Sequence, residues 1–125
     1  LTKAYKLPTI KAFLHDGMIR ERVELEEIGG GMMKFYHDNP LHQKDLKNRS
    51  NRNWRNWGVD GFARLARDNP VKFLSRGKFF HYDEVNKIMY LDADIVPYLT
   101  QKLAHHVDDI LRYRTTDFFR RRYKD

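Results

Sequence analysis

The chain has 125 residues, of which 41% are hydrophobic and 14% aromatic, and this composition suits one domain with an apolar core. It has no cysteine, which excludes disulfides and thiolate metal sites, and no apolar run near the roughly 20 residues of a membrane-spanning helix. The formal net charge of +7 favours a polyanionic partner. We expect a single domain over residues 1–125, in a reducing, cytoplasmic compartment and without a membrane partner. Because the chain opens on Leu1, we expect it to be a piece of a longer protein.

The first predicted helix covers residues 6–16. Its apolar side chains, among them Leu7, Ile10 and Phe13, recur at helical spacing. Gly17 follows directly, and glycine is the residue most often found just past the end of a helix. The sequence therefore predicts that the helix ends at this glycine.

A second helix is predicted over residues 24–36, where apolar residues again form one face. Three consecutive glycines at positions 29–31 interrupt it, and each costs about 1 kcal/mol relative to alanine inside a helix. They predict a kink or a delayed start. Just before the helix, polarity alternates around Val23, which leaves open a brief edge strand or a simple approach to the helix.

Residues 41–57 are polar, basic and without periodicity, so we expect an exposed loop whose length suggests a binding role or disorder. A short helix is predicted over residues 59–67, with an apolar side inward and with Arg64 and Arg67 outward. At Pro70 the chain is expected to restart in another turn of helix.

The pattern changes to a period of two after Lys78. Two β-rich runs, residues 79–82 and 87–91, are separated by about four polar residues, which predicts an antiparallel hairpin. Helical spacing then predicts a long last helix from about Pro97 to residue 119.

This order of elements predicts an α+β fold, mostly helical, that is winged helix-turn-helix-like with a long C-terminal helix. In that architecture the third helical segment enters the major groove, and the hairpin, or wing, contacts the DNA backbone or the minor groove. Winged helices also serve as protein-docking modules, so the fold alone does not establish a function.

The positive charge is concentrated in one stretch, Lys44 to Lys78. Ten lysines and arginines fall here against three acids, and this excess equals the net charge of the whole chain. Clustered cations with interleaved aromatic residues suit phosphates and stacked bases. The residues that we expect to bind nucleic acid are Arg49, Arg52, Trp54, Arg55, Trp57, Arg64, Arg67, Lys72, Arg76 and Lys78.

Trp54 and Trp57 have two possible roles. In an exposed loop either ring could stack on a base or a ribose. Alternatively, both pack into the core, and the cations form a solvated surface around them.

Three stretches also carry a family resemblance: LTKAYKLPTIKAFL, VELEEIGGGMMKFY and NPVKFLSRGKFFHYDEVNKIMYLD. They are similar to accessory domains of bacterial restriction and defence proteins, and look most like the segment after the motor in some DEAD/DEAH-box-like helicases. The matching residues are Lys3, Tyr5, Lys6, Asn69, Pro70 and Phe80. The resemblance covers roughly residues 1–95 and implies a nucleic-acid-handling parent protein, an ATP-dependent helicase. The glycine triplet and the arginine-rich loop depart from that pattern.

No catalytic residue, metal ligand or cofactor site is predicted. His105 and Asp109 lie four residues apart on a predicted helix, where a solvated surface is the simpler interpretation. Asp83 and Glu84 followed by Lys87 resemble a nuclease acid–acid–lysine set, but they fall in a turn instead of along a strand pair.

The sequence therefore predicts a non-catalytic accessory domain that binds nucleic acid, with DNA as the expected ligand, in a helicase or a restriction or defence enzyme. The alternative is a protein-interaction module that docks onto a motor domain or a second copy of the chain. Steep salt dependence of binding would favour the first hypothesis.

Overall fold

The computed structural model describes residues 3–47 and 51–124, apart from the side chains at positions 118, 119 and 122–124. The fold is α+β and 61% helical, with two small antiparallel sheets and a long C-terminal helix, which confirms the predicted class at this level. The regular elements are α1 (Lys6–Lys11), β1 (Leu14–His15), β2 (Met18–Ile19), β3 (Arg22–Glu24), α2 (Leu25–Asp38), α3 (Val59–Ala66), α4 (Lys72–Leu74), β4 (Phe80–Asp83), β5 (Ile88–Leu91) and α5 (Gln101–Lys124).

The first helix ends earlier than predicted. It stops at Lys11, and the residues that follow form a tight antiparallel hairpin of β1 and β2. Asp16 and Gly17 form its turn with φ angles of 50° and 77°, the left-handed backbone that two-residue hairpin turns require. Gly17 therefore turns a hairpin instead of capping a helix. Phe13, although at helical spacing, enters the core from the connection between α1 and β1.

Helix α2 starts at Leu25 and continues through the three glycines to Asp38, so the predicted delayed start is wrong. A Cβ atom on Gly29 would lie 2.7 Å from the backbone nitrogen of Ala63. The missing side chain therefore lets α2 and α3 approach closely, with Ile28 and Phe62 buried in the shared core. Most helical stability in proteins comes from such packing, which offsets the low helix propensity of glycine.

The larger sheet has the strand order β3-β5-β4 and is antiparallel throughout, which confirms the predicted hairpin. Of the two alternatives left open at Val23, the edge strand is the one observed. Its inner face, with Val23, Met89 and Tyr82 in register, packs on the core. Side chains alternate between the faces of a strand, so the residues between these point away from the core. We call this the outer sheet face; it carries Arg22, Phe79, His81 and Tyr90.

The connection between α2 and α3 is not the exposed loop that was predicted. Pro40–Leu46 and Trp54–Asn56 form 3-10 turns, and the side chains of Leu46 and Trp54 are buried in the core. Short 3-10 turns lack the 3.6-residue period of an α-helix, so the apolar pattern of the sequence does not reveal them.

A buried carboxylate holds this connection to the N-terminus. Asp45 accepts hydrogen bonds of 2.8 Å from the backbone N–H of Ala4 and from the hydroxyl of Tyr36. The Tyr5 hydroxyl donates to the backbone carbonyl of Asp45 at 2.7 Å. Burial, with the charge of Asp45 as a second cause, raises the pKa of Tyr5 to about 12, so this phenol keeps the proton that it donates.

The predicted restart at Pro70 is absent, because α3 continues into α4 through a π-helical turn, Arg67–Val71. Proline has no N–H to donate, and the wider turn accommodates its ring inside a continuous helix. Pro70 and Val71 are buried, so this irregular turn is anchored in the core.

The last helix starts later than predicted, at Gln101, because Val96–Tyr98 forms a separate 3-10 turn. The hydroxyl of Thr100 accepts a 3.1 Å hydrogen bond from the backbone N–H of Leu103, which caps the start of α5. Leu111 of α5 packs with Ala4 and Leu7 in a second, smaller core. Within the described part of the chain, no helix combines the length and apolar character needed to cross a membrane.

Candidate nucleic-acid interface

Four exposed cations of the α2–α3 connection surround one groove of about 510 Å³: Lys44, Lys47, Arg52 and Arg55. The remaining lining residues are Pro40, Leu41, Gln43, Leu46 and Trp54, so no carboxylate of the described residues lines the groove. Within residues 3–47 and 51–124, none of the four cations forms an ion pair. We call this feature the cationic groove.

The buried residues of the α2–α3 connection position the two lysines of the cationic groove. Lys44 and Lys47 flank the buried pair Asp45 and Leu46, and the backbone N–H of Lys47 donates to the carbonyl of Lys44. In a 3-10 turn residues three apart lie on the same side. Burial of the two central residues therefore turns both ammonium groups outward together.

A buried ring positions one of the arginines. Trp54 is 4% exposed, and the guanidinium carbon of Arg55 lies 4.6 Å from the centre of its ring. This cation–π contact restrains the arginine before any ligand arrives, so less side-chain entropy is lost on binding.

Arg64 and Arg67 line a different groove, of about 720 Å³, between α3 and the β4–β5 hairpin. Its charged lining residues are three cations and three acids: Arg64, Arg67, Lys87, Glu26, Asp60 and Glu84. The charges balance, so this groove attracts a polyanion less strongly than the cationic groove does.

Arg67 also has a close anionic partner. Its Nε atom donates to the Asp68 carboxylate at 2.8 Å, and this hydrogen bond lowers the pKa of Asp68 and raises that of Arg67. Arg64 and Lys72 add to the lowering of the Asp68 pKa by their charge, which puts the three cations around one carboxylate. The outward face of the helix is therefore partly neutralised.

Lys72, Arg76 and Lys78 are exposed and line neither groove. The guanidinium carbon of Arg76 lies 4.7 Å from the centre of the half-exposed ring of Phe73. The stretch that is continuous in sequence thus divides into three surface regions, with Arg52 and Arg55 in the region free of acids. Arg49 lies outside the described residues.

The stacking role is expected only if the tryptophan rings are exposed, and Trp54 does not meet this condition because it is buried. Trp57 is half-buried, packs edge-on against Phe62 with ring centres 5.3 Å apart, and covers Gly61. A Cβ atom on Gly61 would lie 2.5 Å from the Trp57 ring. Both tryptophans therefore close the core around α3, as the alternative interpretation expected.

Two groups of surface residues were not among the predicted site residues. Lys44 and Lys47 lie inside the cationic stretch, and the only signal for them is that they flank an acid and a leucine. Phe79 and Tyr90 appear in the sequence as ordinary strand residues, and their exposure becomes visible only once the register of the sheet is known.

The possible catalytic sets separate into local contacts. His105 and Asp109 form an exposed pair at 3.7 Å. The carboxylate of Asp83 accepts hydrogen bonds from Asn86 and from the Val85 amide, which lower its pKa and hold the hairpin turn. In the described part of the chain, no three histidines, aspartates or glutamates converge on a possible metal position.

Comparison with models of protein families, with curated proteins and with solved structures finds no match to this chain.

Proposed function

We propose that this chain binds nucleic acid, with DNA as the expected ligand, through the cationic groove. The observation that carries the proposal is the local excess of four exposed cations around a concave surface that, in the described part of the chain, is lined by no acid. Such an uncompensated surface costs electrostatic free energy in the isolated protein and is relieved when phosphates approach.

The physical basis of binding is the release of counterions from the phosphate backbone. Each neutralised phosphate of a duplex contributes about −0.9 to the slope of log affinity against log salt. Four contacts therefore correspond to a slope of roughly −3.6. Binding of this kind positions the protein on the backbone and carries no direct information on base sequence.

We also propose that the fold is a winged helix-turn-helix in which α2 and α3 are the central helix pair. The order α1, β3, α2, α3, β4 and β5 along the chain supports this, with the β1–β2 hairpin inserted after α1, as does the strand order β3-β5-β4. On this proposal, the cationic groove lies on an insertion between the two helices, and the partly neutralised face of α3 has a secondary role.

The resemblance to accessory domains suggests the setting. We propose that the domain serves a cytoplasmic helicase or a restriction or defence enzyme by holding nucleic acid near a motor that lies outside these residues. The full sequence of the parent protein tests this directly, because a helicase motor contains a phosphate-binding P-loop.

A protein-docking module is the second candidate. One observation favours it: Ile110 and Tyr113, three residues apart on α5, are both exposed large side chains. Residues at this spacing share a helix face, so together they form a small apolar patch. A docking surface of this kind would be insensitive to salt.

The test measures the binding of a fluorescently labelled DNA duplex by fluorescence anisotropy. Arg52→Ala combined with Arg55→Ala should weaken binding at least tenfold at low salt, because two phosphate contacts are lost. The matched control is Lys11→Ala combined with Lys102→Ala, which removes the same charge from a different concave surface. Equal affinities for both double variants would reject the groove as the binding site.

A further inference from the structure

The outer sheet face carries a row of side chains that the packing of the core does not explain. Arg22 of β3 lies opposite Tyr90 of β5, which lies opposite His81 of β4. The rings of His81 and Tyr90 have centres 5.2 Å apart and are tilted by 35°. Neighbouring strands lie about 4.8 Å apart, so the row spans about 10 Å from a cation to two rings.

Two aromatic residues on this face are exposed. Tyr90 is 41% exposed, and Phe79, two residues before His81 and therefore on the same face, is 58% exposed. The backbone carbonyl of Phe79 accepts a hydrogen bond from the N–H of Asp92, which extends the pairing of the strands by one residue. Solvent-facing aromatic rings on an ordered sheet are a recurring platform for bases.

The charged side chains on this face are of both signs. Arg22 is in the same row as Tyr90, and within the described residues it forms no ion pair. Of the nearby acids, Asp92 is engaged by His81 at 2.7 Å. Glu24 and Asp83 lie one row further along the sheet, opposite Ile88 and toward the hairpin turn. The row that contains the two rings therefore has one unpaired cation among the described residues, and a ligand with flat apolar faces and a single phosphate beside them fits this arrangement.

We infer that the outer sheet face stacks unpaired bases of single-stranded nucleic acid on Tyr90 and Phe79, with Arg22 contacting an adjacent phosphate. Every base has a flat π-face, so stacking of this kind tolerates any sequence. Paired bases in a duplex are already stacked on each other and cannot reach these rings. The inference shares its ligand class with the proposed function, but it uses different residues, so the two can fail separately.

The experiment measures binding of fluorescein-labelled oligothymidylate of about ten nucleotides, a length within the range that one binding domain covers. Tyr90→Thr and Phe79→Thr should each weaken binding about tenfold, which corresponds to the loss of one stacked base. Tyr90→Phe keeps the ring and should bind as the wild type does. Tyr113→Thr removes an even more exposed tyrosine from α5 and is the matched control.

The same variants are measured on a duplex of equal length. Duplex affinity should not change with Tyr90→Thr, whereas the groove variant Arg52→Ala with Arg55→Ala should weaken it. Circular dichroism establishes that each variant is folded. Phe79 lies at the end of the strand pairing, before the first residue of β4, so Phe79→Thr still tests the inference if Tyr90→Thr disturbs the sheet.

Unchanged affinity of both threonine variants for oligothymidylate would overturn the inference. Duplex binding without oligothymidylate binding would overturn it and leave the groove standing, while binding of neither ligand would reject both proposals. Sedimentation velocity tests the other possible ligand of this face, which is a second copy of the chain. Self-association of the wild type that Phe79→Thr abolishes would assign this face to a second copy of the chain and also overturn the inference.

Discussion

Asp45 connects the candidate site to the fold at the scale of a single residue. A buried carboxylate is costly unless hydrogen bonds compensate for the loss of water, and the Ala4 amide and the Tyr36 hydroxyl donate to it. Its neighbours Lys44 and Leu46 face opposite ways, one into solvent and one into the core. The side chain that holds the connection to the core thereby also sets the direction of the cationic groove.

Replacing Asp45 by alanine should lower the free energy of unfolding by about 3 kcal/mol, because two buried donors to a charged group lose their acceptor. Tyr36→Phe, which removes only one of these hydrogen bonds, should cost about 1–2 kcal/mol. Urea unfolding followed by circular dichroism measures both. An Asp45→Ala variant within 0.5 kcal/mol of the wild type (about the usual effect of a surface substitution) would show that the anchor is unimportant.

His81 and Asp92 give the hairpin a pH-dependent contribution. The hydrogen bond from His81, and then that from the Asp94 amide, lower the pKa of Asp92 below its ordinary value of 3.8. A lowered folded-state pKa means that the contribution is present above the unfolded-state pKa and is lost as pH falls through the folded-state value.

The Asp92→Asn variant should therefore unfold at a lower urea concentration than the wild type, and the difference between the two midpoints should be largest near neutral pH. This difference should become smaller below pH 3.8, because the wild-type carboxylate then takes up a proton. Equilibrium urea titrations over this acid range measure the difference. If the difference in urea midpoint stays constant with pH, the ionised form of Asp92 does not stabilise the folded protein.

At the scale of elements, the packing of α2 on α3 depends on which of three adjacent glycines faces the partner helix. Gly29 has no room for a Cβ atom, whereas a Cβ atom on Gly30 would meet nothing within 4 Å. Gly29→Ala should destabilise by about 1–3 kcal/mol, because the clash is with backbone and exceeds the gain in helix propensity. Gly30→Ala should stabilise by up to about 1 kcal/mol. Thermal unfolding of the two variants measures these changes, and the unfolding temperature should fall for Gly29→Ala and rise for Gly30→Ala. Equal changes in the two unfolding temperatures would contradict the described packing of α2 on α3.

Elements with a strong period could be predicted, and elements fixed by polar contacts could not. Helix α2 and the β4–β5 hairpin follow from apolar spacing and turn residues, and the structure confirms both. The Asp16–Gly17 turn overrides the helical spacing around Phe13, because two residues with left-handed backbone reverse the chain. The α2–α3 connection depends on Asp45, and no pattern of a single sequence indicates that a carboxylate will be buried.

At the scale of the whole molecule, the described cations of the stretch Lys44 to Lys78 lie on several surfaces, and these surfaces differ in how many acids surround the cations. The count of charges along the chain identified Arg52 and Arg55, and it also included Arg64 and Arg67, whose surroundings are neutralised by acids from other elements. The acids Glu26 and Glu84 come from α2 and from the hairpin turn, distant in sequence. Charge along a sequence therefore predicts that a binding surface exists, while tertiary structure decides which cations remain unmatched.

The dependence of duplex binding on salt tests the cationic groove most directly. We expect the wild type to show a slope of roughly −3.6 in log affinity against log salt, and Arg52→Ala with Arg55→Ala to flatten it by about 1.8. Lys11→Ala with Lys102→Ala should leave the slope at the wild-type value. A wild-type slope near zero, or a double arginine variant with an unchanged slope and affinity, would contradict phosphate binding by the groove and favour protein docking.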